Sequence, residues 1–235
     1  MPADRLIRIL ARLAVDDGAD DAPRLCTVCA EVTSVDGAGI MLLAGDRPQG
    51  SVCTSDATST RIEELQYTLG EGPCIDAHRQ HAPIVEPDLA DPETPRWTAF
   101  SLAALAAGAR AVFGFPMSVG HTHVGAMNLY RSRPGSLSAD QHADALVMAD
   151  VAARAIISMQ AGAPVGTLAS QLEASGNFRF VVHQATGMVA AQLDVPVDDA
   201  LLLLRAHAFA SGRNVTDVAR DVVDRRLRLD PPDHT

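Results

Sequence analysis

The sequence predicts an α+β domain followed by a small all-helical domain. Between residues 38 and 131, short apolar runs bounded by glycine and proline clusters are typical of antiparallel strands. Helical patterns separate and flank these runs, which indicates helices that cover one face of a sheet. From Phe178 to Leu229, the apolar spacing indicates three consecutive helices. Their connections are so short that we expect these helices to pack together.

The elements of the first domain follow in chain order. Four apolar residues share one side of the N-terminal stretch, namely Leu6, Ile9, Leu10 and Leu13. This pattern favours packing against another helix over binding to a membrane surface. Further patterns predict helices over 26–32, 60–69, 75–78 and 97–107, strands over 38–43, 50–55, 83–87, 110–119 and 124–131, and a tight loop over 70–74. A long helix begins at Ser138, where Ser138 and Gln141 form a capping box, and runs through Met159.

The second domain follows a linker that contains glycine and proline. We place the first domain at residues 1–160, a linker or connecting helix at 161–176, the helical domain at 177–230 and a disordered tail at 231–235. One face of the first C-terminal helix is apolar: Val181, Val182, Ala185, Met188, Val189 and Leu193. Ser211 and Gly212 end the next helix, and Asn214 is placed to cap the last one through the backbone N–H of Asp217.

The charge argues against a general nucleic-acid binder but singles out one region. The net charge is −10, and all 19 basic residues are arginine. Such an acidic surface repels phosphate. Residues 1–160 hold 12 arginines and 20 acids, a balance of −8, whereas residues 205–228 hold six arginines and three aspartates, a balance of +3. The basic region therefore coincides with the last two predicted helices.

The four cysteines are expected to be structural. Cys26-x-x-Cys29 falls in a helical pattern whose core face includes both Val28 and Cys29, and no second Cys or His pair follows at zinc-finger spacing. Without an export signal, disulfides are not expected, so four free thiols and no metal are predicted. A thiol or metal sensor built on Cys26 and Cys29 remains the third alternative. His121-x-His123 lies in a glycine-flanked turn, where exposure is the ordinary outcome.

The sequence indicates a protein without bond-making chemistry that stays in the cytoplasm. It contains neither a G-x-S-x-G nucleophile motif nor a glycine-rich phosphate loop. No apolar run approaches the roughly 18 residues that a membrane span needs, and the N-terminus lacks the plain apolar core of a signal peptide. We therefore expect a non-enzymatic, cytoplasmic protein with no membrane partner.

Two motifs of the first domain are GEGPC at 70–74 and FPMSVGHTHVGAMNLYR at 115–131. With them, residues 20 to 160 resemble the GAF domain, a small-molecule-sensing fold, in the version that precedes ANTAR modules. Because GAF pockets bind cyclic nucleotides, haem, tetrapyrroles, flavins or nothing, the ligand and any cofactor are unknown. The resemblance implies a pocket between the sheet and the inserted segment. The residues expected to line it are Cys53, Tyr67, Cys74, Trp97, Phe113 and Asn128, with a plain apolar core as the alternative.

The last quarter of the chain contains the phrases VHQATGMV, DDALLLLRAHA and NVTDVARDVV. With them it resembles the ANTAR domain, a bacterial three-helix RNA-binding module of transcription antitermination regulators. It implies a dimer that holds two modules against a pair of RNA hairpins. The expected RNA-contacting residues are Gln184, Arg205, Arg213 and Arg220, although acids at helical spacing make a self-paired, solvated face the alternative. Leu201 to Leu204 exceed what one helix face buries, so part of this surface is expected to contact another protein or protomer.

These observations predict a transcription antitermination regulator whose GAF-like domain senses a small ligand or a partner and controls RNA-hairpin binding by the ANTAR-like domain. We expect a homodimer, joined through the N-terminal helix and the long helix that ends near Met159. The alternative is a signalling or interaction protein whose ANTAR-like module serves dimerisation and no longer binds RNA. Thr186 favours that alternative, because family members usually carry a lysine at its position, and so does the overall acidity.

Overall fold

The computed structural model describes residues 2–14, 21–45, 47–91, 96–162 and 177–229. The chain divides into two compact units, residues 1–168 and residues 169–235. The elements of the first unit are α1 (Pro2–Leu13), α2 (Asp21–Thr33), β1 (Gly37–Ala44), β2 (Arg47–Thr54), α3 (Ala57–Leu69), α4 (Pro73–Gln80), β3 (Ile84–Glu86), α5 (Thr98–Ala106), β4 (Ala111–Val119), β5 (Thr122–Arg131) and α6 (Ala139–Gly162). Those of the second are α7 (Asn177–Leu193), α8 (Val197–Ala210) and α9 (Val215–Val223). Nearly all of the predicted linker and the whole predicted tail lie outside the described residues.

The five strands form one antiparallel sheet in the order β2-β1-β5-β4-β3, which confirms the α+β prediction. Strand β1 pairs with β2 and β5, and β4 pairs with β5 and β3. Strands β2 and β3 are therefore the edges. The sheet core is mainly apolar on β1, β4 and β5, where Met41, Phe115 and Met127 are completely buried.

Helices cover both faces of the sheet, so the expectation of one covered face is wrong. The Tyr130 hydroxyl of β5 donates to Asp56 Oδ1 at the start of α3, over 3.1 Å. The ring of Phe115 on β4 meets the ring of His142 on α6, with centroids 5.2 Å apart. Phe115 pairs with Met127, an odd number of positions from Tyr130, so α3 and α6 lie on opposite faces. Helix α4 contacts the α3 face, and α2 shares the other face with α6.

Local signals place the helix ends. Asp56 and Ser59 form a capping box at the start of α3, and Gly70 ends α3 in the left-handed conformation at φ 67°. The predicted capping box of α6 is confirmed, because Gln141 N donates to Ser138 Oγ and Ser138 N donates to Gln141 Oε1. Helix α4 begins at Pro73, two residues earlier than predicted, because proline is suited to the first helical turn.

A disulfide between Cys26 and Cys53 corrects the prediction of four free thiols. It joins α2 to edge strand β2, with the two Cα atoms 5.8 Å apart across 27 positions of sequence. Cys26 points from the core face of α2 towards the sheet, directly at the β2 position that pairs with Ile40. Cys29 and Cys74 are buried free thiols. The pairing was not apparent from the sequence, because it depends on how α2 packs across the sheet rather than on local spacing.

The second unit is a three-helix module with a small apolar core. Its fully buried members are Val182, Ala185, Val189, Ala200, Leu204, Ala208, Val218 and Ala219. Asn214 caps α9 as predicted, although its side chain accepts from the backbone N–H of Thr216 rather than from that of Asp217. Pro196 precedes α8 without a side-chain cap. Thr186 is buried, and its hydroxyl donates to the carbonyl of Val182 over 2.7 Å, so this position belongs to the core.

Candidate functional sites

A buried polar cluster lies between α3, α4 and β5. It comprises Glu63, Gln66, Cys74 and Asn128, none more than 2% exposed. The backbone N–H of Cys74 donates to Gln66 Oε1 over 2.7 Å. The Cys74 thiol lies 3.8 Å from the carbonyl oxygen of Ala126 and 4.0 Å from Glu63 Oε1. The start of α4 is thereby tied to both α3 and the central strand.

Asn128 stands out in this cluster because it is fully buried and its amide is not satisfied. Neither its Oδ1 nor its Nδ2 has a hydrogen-bond partner among the described residues. Buried side-chain amides in native proteins nearly always have partners, so such a group calls for a bound molecule or a functional reason. Asn128 pairs in register with Gly39 on β1 and with Gly114 on β4.

The glycines beside Asn128 allow the helices to approach the sheet closely. A Cβ at Gly114 would come within 2.2 Å of the Pro73 carbonyl oxygen, and one at Gly39 within 2.8 Å of Glu63 Cγ. Helix α4 and the Glu63 side chain therefore rest directly on the strand backbone on either side of Asn128.

The two free thiols are held in their protonated form. Burial raises the pKa of the Cys74 thiol well above its usual value, and the neighbouring Glu63 carboxylate raises it further. Burial alone raises the pKa of the Cys29 thiol far above its usual range. A protonated, buried thiol is a poor nucleophile and a poor metal ligand.

The six predicted ligand-binding residues do not meet at one site. Cys74 and Asn128 meet in the cluster, and Tyr67 is buried on the same helix as Glu63 and Gln66. Trp97 is buried beside α4, where its Nε1 donates to Asp76 Oδ2 over 3.0 Å. The other two lie away from this cluster. Cys53 is bonded to Cys26, and Phe113, one position from Gly114, lies on the α6 face of the sheet.

Glu63 and Gln66 were missed by the sequence reasoning. Both are polar residues at core-facing positions of an amphipathic helix, three positions apart and just before the Gly70–Cys74 loop. A polar residue within an apolar stripe is the signal that would have found them.

Three histidine rings meet at the end of α4 and the β4–β5 hairpin. His81 stacks on His123 with centroids 3.7 Å apart, and the His78 ring lies 6.1 Å from that of His123. Loss of hydration beside the neighbouring rings and the charges of His81, His78 and His121 lower the pKa of His123. Within the part of the chain that the structure describes, no group of three or more His, Cys, Asp or Glu side chains could hold a metal ion.

The predicted RNA-contacting residues all lie in the second unit, where Arg213 and Arg220 are engaged by acids. Arg213 Nη2 lies 2.5 Å from Asp221 Oδ2, and Arg220 Nη1 lies 2.8 Å from Asp217 Oδ1. Gln184 on α7 is exposed, and Arg205 on α8 is partly exposed. The Arg213 and Arg226 guanidinium groups hold the pKa of Asp221 below its usual value.

The outer face of α8 is largely apolar. Val197, Leu202 and Phe209 are 61%, 64% and 62% exposed. Leu202 and Phe209 lie two helical turns apart on one side of α8, and Arg205 lies between them. Within Leu201–Leu204, Leu202 is exposed whereas Leu204 is buried. Leu202 is therefore available for the predicted contact with another molecule, and Leu204 is not.

Comparison with known proteins identifies the two units. A family model of the GAF domain matches residues 22–157, and one of the ANTAR domain matches residues 170–223. The GAF domain from Acinetobacter phosphoenolpyruvate-protein phosphotransferase superposes with a TM-score of 0.51 at 15% identity, over 68% of this chain and 96% of that chain. The GAF domain of cyanobacteriochrome TePixJ gives a TM-score of 0.47 at 16% identity, over 63% of this chain and 94% of that chain. No curated protein sequence matches the chain.

These matches and the geometry agree. The five-stranded antiparallel sheet with flanking helices is the GAF fold, and the three C-terminal helices fit the ANTAR module. Both are regulatory domains rather than catalytic ones. None of the helices described here is long and apolar enough to cross a membrane. The chain therefore belongs to the GAF-domain family, and its GAF domain is followed by an ANTAR domain, the arrangement of a signal-sensing transcription antitermination regulator.

Proposed function

We propose that the GAF domain responds to a small ligand and controls the binding of paired RNA hairpins by the ANTAR domain. Binding of both hairpins by a dimer would stabilise an antiterminator over the competing terminator. The observation that carries the RNA assignment is the match of residues 170–223 to the ANTAR domain, together with the local charge of +3 over residues 205–228. In a chain of net charge −10, this concentration of arginine gives the module a phosphate-attracting surface.

Arg205 is the residue that we assign the largest share of this binding. It lies on the face of α8 that also carries exposed Leu202 and Phe209, so a base unstacked from a hairpin loop would meet a guanidinium beside apolar surface. Arg213 and Arg220 face carboxylates in the same module, so they must exchange an acid for a phosphate in order to bind RNA. Gln184, exposed on α7, adds a neutral hydrogen-bonding group.

The test of the RNA assignment is a mobility-shift titration of the full chain with a panel of two-hairpin leader RNAs. Arg205→Ala should weaken binding by about 1–3 kcal/mol if Arg205 contacts a base, and reduce the salt slope by about one if it contacts a phosphate. Arg61→Ala is the matched control, since it removes the same charge from α3, outside the proposed dimer interface in the other domain. If the wild type shows no salt-sensitive binding, or if Arg205→Ala binds equally well, the RNA assignment is wrong. The ANTAR-like module would then be assigned to dimerisation.

For the sensor, we propose that a ligand binds through the amide of Asn128. Among the described residues, neither the oxygen nor the nitrogen of this buried amide has a hydrogen-bond partner. The amide therefore suits a ligand that carries an acceptor beside a donor. Native mass spectrometry of the purified full chain is the direct test. Asn128→Leu should abolish any bound mass and leave the apo protein at least as stable, because it removes an unsatisfied amide. A bound mass that survives in Asn128→Leu would move the site elsewhere.

We also propose a homodimer formed through α1 and α6. Ion pairs of Arg5 and Arg8 with the buried Asp144 carboxylate hold α1 on α6. This arrangement leaves an apolar surface of α1 exposed, with Ile7 at 67% and Leu10 at 47%. A second copy that covers this surface would extend the helical layer into a bundle, as in many helical dimers.

A further inference from the structure

Three of the four cysteines meet where α2 packs on the sheet. The Cys26–Cys53 bond joins α2 to β2, and Cys29 follows Cys26 by one helical turn as a fully buried thiol. The Cys-x-x-Cys motif on α2 therefore contributes one bonded sulfur and one thiol to the same core. Neither ligand sensing nor RNA binding uses this motif.

The bond lies at a junction between the sheet and the helical layer. Strand β2 is an edge strand, held by β1 on one side only. Helix α2 packs against β1, β2 and α6, and it also contacts α1. Helix α6 is the last described element before the ANTAR domain in the chain. A change in how α2 is anchored therefore acts on the helix through which the chain continues to the output domain.

We propose that the Cys26–Cys53 bond is a thiol–disulfide switch. Its reduction frees α2 from edge strand β2 and changes the packing of α2 on α6, which in turn sets the RNA affinity of the ANTAR domain. The signal is the ratio of low-molecular-weight thiols to their disulfides. The last step rests on the proposed function, whereas the first two do not.

The exchange uses two small thiols. A thiolate RS⁻ attacks the Cys53 sulfur, the bond to Cys26 breaks, and the Cys26 sulfur leaves as a thiolate that takes up a proton. A second thiolate attacks the RS sulfur of the mixed disulfide, which forms RSSR and releases Cys53 as a thiol. Two electrons pass from two RSH molecules to the protein, and excess RSSR reverses the sequence.

The surroundings of the bond suit slow, specific exchange. Cys53 is 7% exposed and Cys26 is fully buried, so the small thiol must enter at Cys53 when the edge strand opens locally. Cys29 does not scramble the bond, because burial keeps its thiol protonated. The switch therefore responds to an external thiol and not to its own neighbour.

The test uses the full chain, equilibrated in buffers of defined thiol-to-disulfide ratio and then alkylated under denaturing conditions. Mass spectrometry should count two alkylated cysteines in oxidising buffer and four in reducing buffer. Hydrogen exchange should accelerate in α2, β2 and α6 on reduction, and the melting temperature should fall by about 5–10 °C. Cys53→Ala and Cys26→Ala should behave as permanently reduced, whereas Cys29→Ala, which keeps the bond, should switch like the wild type.

RNA binding by the same samples completes the test. We expect about a fivefold or larger difference in affinity between the two states, absent in Cys53→Ala. Four alkylated cysteines in every buffer, or unchanged hydrogen exchange in α6 on reduction, would overturn the switch. Equal RNA affinity in both states would overturn its link to the output. If the wild type binds no RNA in either state, the proposed function fails, and the switch is decided by the thiol count and the exchange of α6.

Discussion

The carboxylate of Asp221 on α9 holds the guanidinium of Arg213 at 2.5 Å, across eight positions of the chain. The same carboxylate accepts from Arg226 Nε over 2.9 Å. One acid therefore engages two of the six arginines that make residues 205–228 basic. Under the proposed function, Asp221 occupies donors that would otherwise contact phosphate, so it would compete with RNA.

We predict that Asp221→Asn strengthens RNA binding. The substitution raises the local charge by one and releases both arginines, so affinity should rise several-fold, on the order of threefold to tenfold, with a salt slope steeper by about one. Asp199→Asn on α8 is the control, because it makes the same charge change at an exposed position that forms no ion pair among the described residues. Filter-binding titrations at several salt concentrations measure both quantities. An equal gain in the two variants would mean that net charge alone matters.

A second prediction concerns the dimer. Glutamates at Leu6 and Leu10, which are 39% and 47% exposed on α1, should convert the protein to a monomer, because the interface would have to bury two carboxylates. Leu102→Glu on α5 changes a more exposed leucine, at 69%, outside the proposed interface and should leave the dimer intact. Light scattering at micromolar concentration distinguishes the two states. A wild-type protein that is already monomeric under these conditions would contradict the proposal.

The sequence predicted the positions of helices and strands better than it predicted the face of the sheet on which a side chain lies. The capping box of Ser138 and Gln141 located the start of α6, because such a signal depends on residues three positions apart. Phe113, expected to line the ligand pocket together with Asn128, lies on the opposite face of the sheet. Its neighbour Gly114 is the residue that pairs beside Asn128, and alternation sends Phe113 to the α6 face.

Contacts between distant segments account for the other differences. Cys53 was expected to line the ligand pocket, because nothing in its local sequence reveals that Cys26 of α2 packs against it. The sequence does not reveal the role of Glu63, because its proximity to Cys74 arises only when α3 and α4 pack together. For the same reason the sequence anticipated a self-paired α9 but not the actual partners, since Arg213 reaches Asp221 from the loop before the helix.

A third prediction tests the close approach of α4 to the sheet. Gly114→Ala should destabilise the GAF domain by about 2–4 kcal/mol, because its Cβ would lie 2.2 Å from the Pro73 carbonyl oxygen and backbone would have to move. Gly187→Ala on α7 makes the same change where, among the described residues, nothing outside the backbone of α7 itself lies within 4 Å of the added Cβ, and it should stabilise the ANTAR domain by about 0.5–1 kcal/mol. Denaturant unfolding measures both. Similar effects at the two glycines would mean that α4 does not rest on β4.

The last prediction follows from Tyr130, whose hydroxyl donates to the carboxylate that caps α3. Burial raises the pKa of Tyr130 to about 12, and the charge of Asp56 adds to the effect, whereas a hydrogen bond with Thr58 opposes it. The folded-state pKa thus lies above the unfolded value of about 10. Below pH ~10 the resulting stabilisation is fully present, and it is lost as the pH rises through 12.

Ultraviolet titration of phenolate absorbance in Tyr67→Phe, which leaves Tyr130 as the single tyrosine, should therefore show ionisation near pH 12 in the folded protein. Tyr130→Phe should lose about 1 kcal/mol of stability at neutral pH, because Asp56 loses a donor, and should also lose the alkaline decline between pH ~10 and 12 that belongs to this phenol. Ionisation of Tyr130 near pH ~10 in the folded state would show that the hydroxyl is solvated and does not anchor the start of α3 to β5.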